Sequence, residues 1–156
     1  EGGSNMLKTL SVSRLFTAAQ AVGLAQEAME EAISYARQRV QFEKPISNHA
    51  SIQYMIADMA TGIESARLMT YETAFLFDRG EWKKAGTQAA MAKCMSSDVA
   101  MKTAIDAVQI MGGYGYMKDY PVERMLRDAK LTQIYTGTNP IMRMIVGRDL
   151  TGISWL

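Results

Sequence analysis

The sequence has few of the residues that crosslink chains, hold metals or span membranes. Its 156 residues include one cysteine and one histidine, so no internal disulfide can form. No apolar run approaches the roughly 18 residues that a membrane-spanning helix needs. We therefore expect a reducing compartment, no membrane span and no metal site, and we expect Cys94 to be a small buried hydrophobic residue.

An excess of basic charge is also missing. Lysine and arginine number 17 against 16 aspartates and glutamates, and the two kinds are interspersed along the chain. Nucleic-acid-binding domains usually carry a strong basic field, so we expect no nucleic-acid partner. Hydrophobic residues make up 48 % of the chain, which is enough for the core of one domain.

The start of the chain lacks an initiator methionine. Residues 1–10 read EGGSNMLKTL, in which two glycines lead directly into a helical pattern. They contain neither the basic nor the apolar region of a secretory signal. We therefore interpret residues 1–156 as one domain of a longer polypeptide, cut at an interdomain linker.

Proline is scarce, and its three positions divide the chain into long helical stretches. Pro45, Pro121 and Pro140 are separated by segments rich in Ala, Met, Leu, Glu, Gln and Lys, which lose little entropy on entering a helix. We predict an all-α, up-down four-helix bundle with a short extra helix. The predicted helices run from about Asn5 to Val40, from Ser47 or Asn48 to Phe75 and from about Lys83 to Met111, followed by a short helix near Pro121 and a last helix from about Asn139.

Apolar residues recur every three or four positions in each long helix, as expected of helices that bury one face. Gly80 and the pair Gly112–Gly113 are placed to end the second and third helices. The stripe predicted to be buried on the third helix contains Met91, Cys94, Met95, Met101, Ile105 and Val108.

Three segments carry features that packing alone does not require. Residues 37–46, RQRVQFEKPI, end a helix with two arginines, which either stabilise the helix dipole or clamp a phosphate. Residues 109–121, QIMGGYGYMKDYP, contain glycines that form a C-cap and turn or let a ligand approach the backbone. Residues 133–143, QIYTGTNPIMR, place hydroxyl and amide side chains before a helix N-terminus, which suits N-capping by Thr138 or Asn139 or binding of a phosphate or ribose hydroxyl.

These segments, taken in order and at these separations, resemble the C-terminal helical domain of acyl-CoA dehydrogenases. The stretches that carry the likeness are AAQAVGLAQEAMEEAISYARQRVQFEKPI, IQYMIADMA, DAVQIMGGYGYMKDYPVERMLRDAKLTQIYTGTN and IVGRDL. The resemblance implies that an N-terminal helical domain and a central β-domain precede this one. It also implies FAD-dependent oxidation of an acyl-CoA thioester to an enoyl-CoA, with electrons passed to an electron-transferring flavoprotein. The protein is then expected as a homodimer or homotetramer in the bacterial cytoplasm or the mitochondrial matrix.

Site residues follow from the resemblance position by position. Arg39 and Phe42 correspond to contacts with the pyrophosphate and adenosine half of FAD. Gln109–Gly113 corresponds to a strip that reaches the FAD of a neighbouring subunit, so the cofactor is expected to span two subunits. The implied FAD contacts are Arg39, Gln41, Phe42, His49, Gln109, Ile110, Met111, Gly112, Gly113, Thr138, Asn139 and Pro140, and the implied acyl-CoA contacts are Ser11, Arg14 and Gly137.

Three positions depart from the family's pattern. Glu43 replaces a glycine that commonly follows the phenylalanine, and Ala50 replaces a frequent glutamine. Thr136 stands where most members have the glutamate that removes the α-proton. A threonine hydroxyl is too weakly acidic to act as a base without an activating partner, and Ser13, where some branches place the base instead, is not acidic either.

Three interpretations of Thr136 are open from the sequence. The base is an Asp or Glu in the N-terminal part, as would suit an unusual, cyclic acyl-CoA; or the protein is a non-catalytic paralogue used for binding or assembly; or Thr136 is an engineered replacement. We favour the first, because the segments implied to contact FAD are largely retained. The nearest acids in sequence, Asp119, Glu123 and Asp128, are interpreted as salt-bridge partners of Arg124, Arg127 and Lys130.

Overall fold

Three long helices form most of the molecule. The computed structural model describes residues 2–153, without the side chains of residues 2–5 and 7. The helices are α1 Gly2–Gln38, α2 Ala50–Asp78, α3 Trp82–Met111, α4 Gly113–Tyr116, α5 Val122–Thr132 and α6 Asn139–Thr151. The all-α prediction is confirmed, and the one-turn helix α4 is an addition to it.

A small hairpin, absent from the prediction, follows the first helix. α1 ends at Gln38 instead of Val40, because the chain turns into two short antiparallel strands, β1 Val40–Gln41 and β2 Lys44–Pro45. The residue before a proline favours extended backbone, which suits Lys44 as a strand residue. Phe42 and Glu43 form the two-residue loop with φ angles of 52° and 63°, as a type I′ turn requires.

The second helix begins later than predicted. Ser47 and Asn48 lie in a short 3-10 turn, Ile46–Asn48, so neither of them caps α2. His49 is the N-cap residue, without a side-chain hydrogen bond to the helix. At the other end α2 extends past Phe75 to Asp78, and Gly80 follows it with a φ of 73°, in the role predicted for it.

The third helix lies at the centre of the molecule and packs against α1, α2, α4, α5 and α6. Its buried face consists largely of small residues, which let the neighbouring helices approach closely. The predicted apolar stripe was only partly right: Met95, Met101 and Val108 are partly buried against the core, but Ile105 is 48 % exposed, and Cys94, which was expected to be buried, is only partly buried. The fully buried positions are instead Ala85, Ala89, Ala90, Ala92, Lys93, Ser96, Ser97, Ala100, Ala104 and Ala107. α1 also buries a row of alanines and packs against α3, so the close contact between the two helices is built from small residues that do not stand out in an apolar pattern.

Candidate functional site

Two of the three unusual segments meet in one groove. Arg39 and Gln41 come from the end of α1 and the hairpin, and Ile110–Gly113 comes from the end of α3. The groove has a volume of about 570 Å³. Its other lining residues are Tyr35, Ile46, Tyr114 and Met117.

The groove combines a guanidinium, bare backbone and an apolar floor. The guanidinium carbon of Arg39 lies 5.9 Å from the ring centroid of Tyr114, and no carboxylate within residues 2–153 forms a salt bridge with it. A Cβ atom added at Gly112 or Gly113 would meet nothing within 4 Å, so a ligand can approach this backbone. An unpaired guanidinium suits a phosphate, and Ile46 and Met111 offer apolar contact to a ring.

Three of the predicted contacts lie beside the groove instead of lining it. Phe42 is 86 % exposed at the hairpin tip, with its ring edge toward the ring of His49 at a centroid distance of 6.0 Å. His49 Nε2 lies 3.4 Å from the carbonyl oxygen of Gln41. Gln109 is exposed on α3 and directly precedes Ile110, which lines the groove. The fold therefore places these residues at the same end of the molecule as the groove.

An aromatic cluster holds one wall of the groove. The rings of Tyr35, Tyr114 and Tyr120 pack against one another with centroid distances of 5.8 to 6.2 Å. Gly115 lets α4 fold back on α3, since a Cβ atom there would lie 2.9 Å from the carbonyl oxygen of Val108. The tyrosines and glycines are evident in the sequence, but the packing of the three rings and the close approach of α4 to α3 could not be predicted from it.

The third segment lies at a different place on α1. Thr17 Oγ1 is 3.0 Å from Thr136 Oγ1, and the hydroxyl of Tyr135 donates to the side-chain oxygen of Gln20. Tyr35, which lines the groove, is about 27 Å from Thr17 along α1, given a rise of about 1.5 Å per residue. Within one chain, the groove and the Thr136 turn are therefore separate sites.

Thr136 is held by neutral oxygens. Its Oγ1 is 2.8 Å from the carbonyl oxygen of Tyr135 and 3.0 Å from Thr17 Oγ1, which in turn is 3.0 Å from the carbonyl oxygen of Ser13. Two hydroxyl protons serve these three contacts, so both protons are used inside the protein. Neither a carboxylate nor a histidine is among the partners, so the hydroxyl has no activating base.

A buried lysine on α3 holds the turn between α5 and α6 by hydrogen bonds. Lys93 is fully buried on α3, and its Nζ donates to the carbonyl oxygen of Gly137 at 2.8 Å and to Asn139 Oδ1 at 2.9 Å. Burial lowers the pKa of the Lys93 ammonium, because desolvation disfavours the charged form. Nothing in the sequence marks Lys93 as a site residue, since a lysine in an alanine-rich helix usually lies at the surface.

The same network continues to an acid on α3. Asn139 Nδ2 donates to Ser97 Oγ at 2.9 Å and to Asp98 Oδ1 at 2.8 Å. Gln133 donates to Asp98 Oδ1 at 2.7 Å, and Arg143 donates to Asp98 Oδ2 at 2.6 Å. The Asn139 side chain is thus occupied within the protein, and Thr138, the N-cap of α6, makes no side-chain cap bond.

Ser11 and Arg14 line a second cleft, beside the Thr136 turn. It has a volume of about 630 Å³, and its other lining residues are Lys83, Gly86, Thr87, Ile141 and Ile145. Arg14 lies three residues before Thr17 and therefore on the same side of α1. Its Nε is buried without a hydrogen-bond partner among the described residues, and burial lowers the pKa of the guanidinium. A ligand with oxygen acceptors in this cleft would have a donor available.

The acids of α5 form surface pairs, largely as predicted. Arg127 Nε lies 3.1 Å from Glu123 Oε2, and its hydrogen bond lowers the pKa of that carboxyl. Arg124 Nε lies 4.0 Å from Asp128 Oδ2. Lys130 differs from the prediction, because it donates to the side chain of Gln133.

The described part of the chain contains neither a cluster of metal ligands nor a membrane-spanning helix. No three His, Cys, Asp or Glu side chains come together as a metal site would require. None of the helices is long and apolar enough to cross a membrane.

Known proteins that resemble this chain in sequence and in fold point to one family. The model of the acyl-CoA dehydrogenase C-terminal domain matches residues 1–151. A cyclohex-1-ene-1-carbonyl-CoA dehydrogenase of Geobacter metallireducens is 56 % identical over 149 residues, which cover 96 % of this chain and 39 % of the relative.

Solved structures agree. A chain in a structure described as the electron transferring flavoprotein of Acidaminococcus fermentans has a TM-score of 0.90 at 50 % identity and covers 93 % of this chain and 38 % of that one. Butyryl-CoA dehydrogenase from Megasphaera elsdenii has a TM-score of 0.87 at 45 % identity, with 93 % and 37 % covered. This chain therefore spans less than half the length of the relatives that it matches. It belongs to the acyl-CoA dehydrogenase family and corresponds to the family's C-terminal domain.

Proposed function

We propose that this chain is the C-terminal domain of an FAD-dependent acyl-CoA dehydrogenase, preceded by an N-terminal helical domain and a central β-domain. The observation that carries the proposal is the groove that unites Arg39 and Gln41 with Ile110–Gly113. These segments are more than 60 residues apart in sequence, and the resemblance implies an FAD contact for each of them.

The groove residues fit the phosphate and adenosine part of FAD. Arg39 offers a guanidinium without a carboxylate partner among the described residues, and Gly112 and Gly113 offer bare backbone. Thr138, just before α6, and Pro140, in the first turn of α6, contact a second FAD. When bound, FAD would supply the acceptor for a hydride from the acyl-CoA, while a base takes a proton. That proton comes from the α-carbon of a saturated acyl group, and from a ring carbon next to the double bond in cyclohex-1-ene-1-carbonyl-CoA, whose α-carbon bears no hydrogen.

The base that takes this proton lies outside this chain. Thr136 occupies the position where the family usually has glutamate, and its hydroxyl proton is used within the protein. Asp98, the acid tied to this segment, accepts hydrogen bonds from Gln133, Asn139 and Arg143 through both of its oxygens. We therefore assign the base to an aspartate or glutamate in the preceding domains.

The substrate we propose is a CoA thioester of a cyclic carboxylic acid. The 56 % identical relative is named for cyclohex-1-ene-1-carbonyl-CoA, a cyclic thioester. A base on another domain would approach the substrate from another direction than Thr136, which suits a ring whose reacting hydrogens lie in a fixed geometry. Ser11, Arg14 and the amide of Gly137 contact the thioester.

Assembly and electron transfer follow the family. The groove and the Thr136 turn are too far apart in one chain to hold the same end of a cofactor, which supports a homodimer or homotetramer with FAD across the subunit interface. The acceptor of the electrons is an electron-transferring flavoprotein, and the similar chain described with that flavoprotein in Acidaminococcus fermentans supports this partner.

The test is the visible spectrum of the full-length protein. We expect it to purify yellow with bound FAD, and we expect the flavin to be bleached without oxygen by cyclohex-1-ene-1-carbonyl-CoA or cyclohexane-1-carbonyl-CoA. Butyryl-CoA serves as the straight-chain comparison and should reduce the flavin more slowly.

Two results would contradict the proposal in different ways. A colourless protein, or a flavin that no acyl-CoA reduces, would favour a non-catalytic paralogue that uses this fold for binding or assembly. Faster reduction by butyryl-CoA than by either cyclic thioester would retain the enzyme and overturn the proposed substrate.

A further inference from the structure

Lys93 is an unusual core residue. It is the largest side chain among the fully buried ones that the structure describes, and it lies on the central helix α3. Its two hydrogen-bond partners, the carbonyl oxygen of Gly137 and Asn139 Oδ1, are both neutral. A buried cation without a paired anion is costly, and an apolar residue of similar volume would fill the same space. Packing therefore does not explain the lysine.

The contact with Gly137 sets the direction of a peptide plane. The carbonyl oxygen of Gly137 points at Lys93 Nζ from 2.8 Å. In a planar trans peptide the N–H of the next residue points the opposite way, so the amide of Thr138 is directed away from α3. The amides of Thr136, Gly137 and Thr138 donate to no backbone carbonyl within the described range 2–153. The turn thus keeps a donor facing outward.

A second contact fixes the end of this turn. Lys93 also donates to Asn139 Oδ1, while Asn139 Nδ2 is held by Ser97 and Asp98. Asn139 is the first residue of α6, so the lysine ties both the turn and the start of the helix to α3. A donor bound to the carbonyl of a peptide also polarises that peptide, which makes the Thr138 amide a stronger donor.

We propose that Lys93 is a positioning residue, which acts through the Gly137–Thr138 peptide to aim the Thr138 amide at an oxygen of the bound ligand. The ligand is the acyl-CoA or FAD of the proposed function, on which this step rests. Lys93 itself contacts neither of them. Its effect is to hold the turn in the geometry that binds and to strengthen one donor.

The experiment compares Lys93→Met with Lys102→Met in the full-length, FAD-loaded protein. Lys102 is on the same helix, but its side chain is 64 % exposed and paired with Asp106, so the same chemical change there leaves the turn untouched. Lys93→Met is expected to lower the rate of flavin reduction at saturating acyl-CoA, or to raise the half-saturating concentration, by about tenfold or more, as loss of a charge-assisted hydrogen bond predicts. Lys102→Met is expected to match the wild type.

Hydrogen exchange distinguishes positioning from packing. In Lys93→Met, peptides covering residues 133–143 should exchange faster, while peptides from residues 85–105 keep the wild-type rate. Equal acceleration in both regions would mean that Lys93 supports the core alone and would overturn the proposal. Wild-type flavin reduction together with wild-type exchange in 133–143 would overturn it as well.

A milder variant covers the case in which Lys93→Met does not fold. Lys93→Gln keeps a neutral donor on a side chain one bond shorter, and we expect an intermediate loss; wild-type kinetics and exchange in Lys93→Gln would overturn the proposal. Exchange is measured without turnover, so the test also separates the two proposals. If no acyl-CoA reduces the wild-type flavin, the proposed function is wrong. The change in hydrogen exchange of residues 133–143 still decides whether Lys93 positions the turn.

Discussion

At the scale of single residues, Thr136 has both an unfavourable backbone conformation and an unreactive side chain. Its φ is 54°, and a β-branched residue in this region costs on the order of 1–3 kcal/mol. Its hydroxyl contacts only neutral oxygens in the part of the chain that is described. A local conflict of this kind persists where the surroundings fix the backbone, and here Lys93 holds the Gly137–Thr138 peptide, one residue further along the chain.

Thr136→Glu in the full-length protein should create ordinary α,β-dehydrogenation. The carboxylate would stand where the resemblance to the family places its base, and a positioned base contributes a factor of about 10² or more in rate. The measurement is flavin bleaching and enoyl-CoA formation with butyryl-CoA. Thr136→Gln is the matched control, because it has the same shape without a base. No gain with glutamate, or an equal gain with glutamine, would contradict our placement of the reacting α-carbon beside residue 136.

At the scale of single elements, the β1–β2 hairpin contains a local mismatch between residue and turn. Glu43 has a φ of 63°, which is strained for any residue with a side chain, and the resemblance to the family implies a glycine there. We expect Glu43→Gly to raise the free energy of unfolding by about 0.5–1 kcal/mol, measured by urea denaturation. Glu27→Gly, in the middle of α1, is the control and should lower stability by about 1 kcal/mol. Loss of stability in both variants would contradict the type I′ turn.

The one-turn helix α4 depends on a close approach that a side chain would block. A Cβ atom on residue 115 would lie 2.9 Å from the carbonyl oxygen of Val108 and 3.0 Å from Met111 Cβ. We therefore expect Gly115→Ala to destabilise the protein by about 1–3 kcal/mol, measured by thermal unfolding. Gly113→Ala adds the same methyl group where nothing lies within 4 Å, and its stability should stay close to the wild type. Equal unfolding temperatures for the two variants would show that α4 does not pack on α3 in this way.

At the scale of the whole molecule, the separation of the two candidate FAD contacts makes a prediction about subunits. If each FAD lies between the groove of one subunit and the Thr136–Pro140 turn of another, two differently damaged subunits can complement each other. Arg39→Met damages the groove, and Thr138→Pro damages the turn, because it removes the amide N–H that Lys93 directs outward.

Full-length proteins carrying these changes should each be nearly inactive alone and partly active when co-expressed. Each mixed dimer then contains one site with both contacts intact, so random mixing restores roughly a quarter of the wild-type sites in a two-fold assembly. The measurement is acyl-CoA-dependent flavin reduction per bound FAD. Co-expression without any recovery would indicate that the groove and the turn serve cofactors within the same subunit.

Sequence reasoning predicted the parts of this protein that depend on local preferences. The three long helices were identified from helix-forming residues between scarce prolines, and Gly112 and Pro140 indicated where helices end and begin. The segments implied to contact FAD stand out because their motifs are short and contiguous, and their contact with FAD stays a prediction. The family assignment followed from their order, and the family model that matches residues 1–151 confirms it.

The remaining features depend on contacts between residues that are far apart in the chain. The buried face of α3 was assigned to its large apolar residues, whereas close packing against α1 selected the alanines. Lys93 looked like a surface residue until the turn before α6 placed two oxygens over its ammonium. Local sequence by itself determined where helices form, since helix propensity and end signals act within a few residues. Only the tertiary structure decided which segments share a groove, and which polar groups are buried together, because those outcomes depend on how the helices pack.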